Sequence, residues 1–79
     1  MACDHRKALE LARAGQWDQS HELVQKYSDR LACLIHGYLH RVEGDLDNAR
    51  YWYGRAASTM PDNDLDEEWR RLSAMINET

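Results

Sequence analysis

An all-α fold of antiparallel helical hairpins, about five helices in one domain, is what this 79-residue sequence predicts. Three observations lead there. Apolar residues recur at steps of three and four with no alternating run. Helix stop and start signals punctuate the chain at Gly15, Gly44-Asp45 and Pro61. A helix–glycine–helix pattern also occurs twice, 29 residues apart, counted from Gly15 to Gly44.

The elements follow in order. Asp4 is placed to cap a first helix carrying Ala8, Leu9, Leu11 and Ala12, which Gly15 ends. A second runs from about Gln16 to Tyr27, making the first hairpin residues 4–27. Ser28 and Asp29 are cap candidates for a third, Arg30 to Glu43, rich in Leu31, Leu34, Ile35, Tyr38, Leu39 and Val42. In "EGD", Gly44 closes that helix and Asp45 caps the next, so the two must fold back on each other. The fourth is expected from Leu46 to about Thr59, where Pro61 blocks it, making the second hairpin residues 30–60. A closing helix spans about residues 65–77, with Leu65, Trp69, Leu72 and Ile76 on one stripe.

Composition narrows the function classes. Residues 1–60 carry eight basic and eight acidic side chains, so the net charge of −4 comes from the acidic C-terminal part. A basic phosphate-binding surface is absent from this pattern, which argues against nucleic acid as partner. Acids gathered before the last helix suit its N-terminal dipole. No apolar run approaches the ~18 residues of a membrane span, and the N-terminus lacks the apolar core of a signal peptide. Two cysteines, Cys3 and Cys33, are too few for a disulfide framework, so free thiols and a cytoplasmic setting are expected.

The second unit resembles the tetratricopeptide repeat (TPR), or its Sel1-like cousin, over residues 30–61. Gly37, Gly44 with Asp45, Ala49, Tyr53, Ala56 and Pro61 carry the likeness. Small residues there let two helices approach, and Tyr53 fills the space between them. The first unit departs from the pattern: it is shorter, has Ser20 where alanine is usual, and lacks the terminal proline. The resemblance implies a protein-interaction module that binds a peptide or partner helix in a concave groove. Mapped onto this chain, that groove comprises Leu31, Leu34, Tyr38, Arg41 and Val42. With fewer than three full units the groove is short, so self-association through leftover apolar surface is an added expectation.

Cys33, His36, His40 and Glu43 share one face of the third helix, since steps of three and four return to the same side. His-x3-His is a sound helical pair for zinc or copper, and this face is the alternative functional reading. The plainer one is packing: the TPR resemblance implies that Cys33, His36, Gly37 and His40 face the fourth helix. There Glu43, Asp45, Tyr51 or Tyr53 are candidate hydrogen-bond partners. "HELVQ" begins like a zinc-protease helix at His21, but Gln25 stands where the second histidine belongs. "DNDLDEE" lacks the glycine and glutamate of a calcium loop. In "ARYWYGRAA", Tyr53 is expected in the core, while Tyr51 and Trp52 are candidates for an exposed contact surface. Gly54 suggests a close helix contact. No catalytic constellation and no cofactor motif is legible.

Overall fold

The computed structural model describes residues 2–78 and contains five helices: α1 His5–Arg13, α2 Trp17–Val24, α3 Arg30–Val42, α4 Leu46–Arg55 and α5 Leu65–Asn77. Four of them start at an aspartate whose carboxylate accepts a main-chain N–H three residues on: Asp4 from Lys7, Asp29 from Ala32, Asp45 from Asn48 and Asp64 from Glu67. At α5 the bond is reciprocal, because the Glu67 side chain accepts the Asp64 N–H. Gly15 (φ +79°) and Gly44 (φ +84°) take the left-handed conformation that ends α1 and α3.

The fourth helix stops at Arg55, short of the expected Thr59. Ala57 adopts a positive φ of 55°, and its N–H returns to the Gly54 carbonyl. A tertiary bond holds this end, Arg30 Nε donating to the Ala56 carbonyl at 3.1 Å. The second helix likewise ends at Val24 rather than Tyr27.

Helix α3 is the axis of the fold. It packs against each of the other four helices and is buried continuously from Ala32 to His40. The fit to α4 is close: a Cβ built on Gly37 would lie 2.8 Å from Tyr53 Cδ2 and 3.2 Å from the Ala49 carbonyl oxygen. Only glycine admits Tyr53 there. At Gly54, by contrast, an added Cβ would meet nothing within 4 Å, so the expected close contact is absent; the approach happens at Gly37.

The expected concave groove is not open. Helix α5 packs across α1 and α3, with Trp69 Nε1 donating to the Leu9 carbonyl at 2.9 Å and Arg13 lying 4.2 Å over the Trp69 ring. Leu34 and Tyr38 are buried, Leu31 is half-buried, and Val42 remains exposed. Arg41 is engaged internally, donating to the side chain and main-chain carbonyl of Asn63 in the loop before α5. The chain's own last helix thus packs on α1 and α3, as hydrophobic burial favours, while Val42, Leu46, Tyr51 and Leu65 stay exposed. Among the described residues no helix is long and apolar enough to cross a membrane.

Candidate metal centre

Side chains from two hairpins converge on one end of α3. His36 and His40 lie one turn apart on α3, and His21 reaches them from α2. Their ring centroids are 4.6 Å apart for His21–His36, 5.4 Å for His21–His40 and 5.0 Å for His36–His40. One ring nitrogen from each lies within 4.8 Å of the others. Two indoles flank the trio: Trp17 stacks on His21 at 4.7 Å, and Trp52 stacks on His36 at 3.7 Å, both nearly parallel. Trp17 Nε1 donates to the Leu39 carbonyl at 2.7 Å, which pins the start of α2 to α3 and aims His21, one turn later, at the pair.

Burial and neighbouring charges favour the neutral form of His36 and His21. Burial first, then the neighbouring His21, His40 and Arg55, lower His36 from its ordinary value to about 4. Burial and His40 lower His21, outweighing the opposing pull of Glu43 and Asp18. A neutral imidazole offers a lone pair, the state that metal ligation requires. His40 Nδ1 lies 2.8 Å from Glu43 Oε1, the carboxylate–imidazole pairing that orients a ligating histidine and raises its basicity. His36 Nδ1, in contrast, is buried with no hydrogen-bond partner, which sets it apart among the described residues. An orphaned buried nitrogen costs about 1–3 kcal/mol in desolvation.

The expected ligand face is therefore partly redrawn. His36 and His40 come together as their spacing implied, and Glu43 stands behind His40. Cys33 is not part of the group: its thiol points to the Ser28 carbonyl at 3.6 Å, seven residues or roughly 10 Å of helix from His40. Burial pushes that thiol up from its ordinary value, away from the thiolate form that binds metal. Tyr53 does not serve the histidines, because its hydroxyl donates to Glu68 at 2.7 Å. Trp52 is the cover of His36 rather than a free surface; Tyr51 is exposed and meets Trp52 edge-on at 5.2 Å.

His21 is the residue that the motif reading passed over. Within its own helix it matches only the beginning of a zinc-protease pattern that Gln25 breaks. A usable signal existed, since Trp17 and His21 stand four apart on α2 as His36 and His40 do on α3. Only the packing of α2 on α3 joins the two faces. Comparison with protein-family models, with curated proteins and with solved structures yields no match to this chain.

Proposed function

We propose that this protein is a small metal-binding module that holds a divalent first-row ion, zinc above all, between two TPR-like helical hairpins through His21, His36 and His40. The observation that carries the reading is the meeting of three histidine nitrogens within 4.8 Å. The unpartnered His36 Nδ1 and the Glu43 carboxylate behind His40 support it. Zinc binds imidazole nitrogen at about 2.0–2.1 Å, which puts tetrahedral ligand atoms roughly 3.3 Å apart. Binding requires the three nitrogens, now within 4.8 Å of one another, to close to that spacing. Three nitrogen donors suit zinc, copper or nickel better than magnesium or calcium, which prefer oxygen. The two unpaired buried cysteines favour a reducing, cytoplasmic setting.

The test is metal content of untagged protein purified without chelator, read by native mass spectrometry and by titration with Zn2+. One ion per chain is expected, lost in His21→Ala and in the His36→Ala/His40→Ala double variant. His21 is only half-buried, so its variant retains the helical circular-dichroism spectrum. A fully helical wild-type protein that takes up neither Zn2+ nor Co2+ overturns the proposal.

A second reading, a protein-binding or self-associating module, is favoured by the exposed apolar side chains Val42, Leu46, Tyr51 and Leu65. Sedimentation of the wild type against Leu46→Glu checks it: a dimer that the substitution dissociates supports this reading, and a monomer in both removes self-association.

A further inference from the structure

We infer that the ion at this centre keeps one coordination position free for an exchangeable small anionic donor, so that the module binds a metal–anion pair rather than a closed structural ion. This rests on the metal reading above. The argument is a count of donors. Closed structural zinc sites take four protein ligands, whereas open sites take three and leave the fourth to water or another small ligand. Around His21, His36 and His40, no fourth ligating atom lies within the same 4.8 Å span among the described residues. The nearest candidates are otherwise committed or unsuited. Glu43 is paired with His40 Nδ1. The indole nitrogen of Trp17 is a donor only, already bonded to the Leu39 carbonyl. The Cys33 thiol is turned to the other end of α3.

Access and charge then decide what fills the position. His36 and His40 are buried, while His21 and Trp17 are half-buried, so the free position opens past α2. Three neutral imidazoles leave the ion's full double charge uncompensated within its own shell. Glu43 answers part of it through His40. Asp45 lies within 4.8 Å of His40 and Glu43, but its carboxylate is engaged with Asn48 as the cap of α4; Asp18 is exposed and screened by water. Arg55, 5.1 Å over Trp52, adds positive charge on the far side of His36. An anion that replaces the bound water gains from this imbalance; the exchange breaks one metal–oxygen bond, forms one metal–donor bond and releases the water unchanged.

Cobalt(II) is the probe, because its visible absorption reports coordination. The full chain is loaded with Co2+ and titrated with sodium azide, and its oligomeric state is followed in parallel. The expected result is one Co2+ per monomer and a saturable, one-to-one shift of the visible bands on adding azide. The Glu43→Gln variant is expected to bind Co2+ about 10–100-fold more weakly but, once saturated, to show the same azide-induced shift. A bound Co2+ whose spectrum azide does not move overturns the inference and leaves the metal reading standing. If Glu43→Gln alone then responds, Glu43 is the fourth ligand. If the chain is a monomer without metal, dimerises only on loading Co2+ and stays silent to azide, a second copy supplies the fourth ligand and the inference is overturned. Failure to bind Co2+ at all overturns both.

Discussion

Two buried polar clusters lie on α3's flanks, and they are built in opposite ways. Around Glu68 every polar atom has a partner. Its carboxylate accepts from the Tyr53 hydroxyl at 2.7 Å, from Arg71 Nε and Nη2 at 2.7 and 2.8 Å, and from Asn63 Nδ2 at 3.0 Å. Around His36 three imidazole rings meet, and one buried nitrogen has no partner at all. A satisfied cluster ties elements together, here α4 to α5 and its preceding loop. An unsatisfied cluster of lone pairs has its chemistry still available, which is why the histidines and not Glu68 are the candidate site.

The largest effect that sharpens this contrast is expected at Glu68. Glu68→Ala leaves Arg71 and Tyr53 facing each other without the carboxylate. Breaking one side of such a buried pair costs about 3–5 kcal/mol, and the partial exposure of Arg71 puts this variant at the lower end. Urea denaturation measures it; a loss under about 1 kcal/mol would mean that the network is replaceable.

Next comes metal. If ligands from α2 and α3 close on one ion, Zn2+ at a hundred times its Kd raises stability by about 2.7 kcal/mol. For a domain of this size that is roughly 10–20 °C in Tm. Differential scanning calorimetry with and without Zn2+ reads it, and an unchanged Tm at saturating occupancy would show that the two hairpins are not clamped together.

Acid reaches both clusters, since His36 also titrates at about 4, and comparison with Glu68→Gln isolates the Glu68 share. Burial pushes its carboxyl up, but the hydrogen bonds from Arg71, Asn63 and Tyr53 outweigh burial and hold it below its ordinary value. The folded state therefore binds the proton less readily than the unfolded chain. The stabilisation is present above the unfolded carboxylate value and is lost as pH falls through the folded one. Wild type is expected to lose more stability between about pH 5 and pH 3 than Glu68→Gln, as measured by urea midpoints; parallel curves would remove this role.

The smallest effect is expected at His36→Leu. Replacing an unpartnered polar ring by an apolar side chain removes a desolvation cost while loosening the stack on Trp52. The two oppose, so the change in stability stays within about 1 kcal/mol while metal uptake is lost. A large loss of stability in the metal-free variant would make His36 a packing residue and erase the difference between the clusters.

The helix starts at Asp4, Asp29 and Asp45 were legible residue by residue, and the acidic run before α5 marked its start. Asp4, Asp29, Asp45 and Asp64 each cap through a bond to the third residue on, and Gly15 and Gly44 end helices through their own φ angles. The half of the candidate site on α3 was written in the His-x3-His spacing. Local bonds and the helical period span only a few residues, so the sequence by itself determined these features. Which faces meet is another matter. The fit of Gly37 against Tyr53 joins two helices and was implied only by the TPR resemblance. Tertiary packing decided that Leu34 and Tyr38 are buried, that α5 lies against α1 and α3, and that Arg30 bonds the end of α4. It also turned Cys33 away and brought His21 across to His36 and His40. Each of these depends on the angle at which helices cross, and that is set by the burial of whole apolar surfaces against one another rather than by any short run of residues.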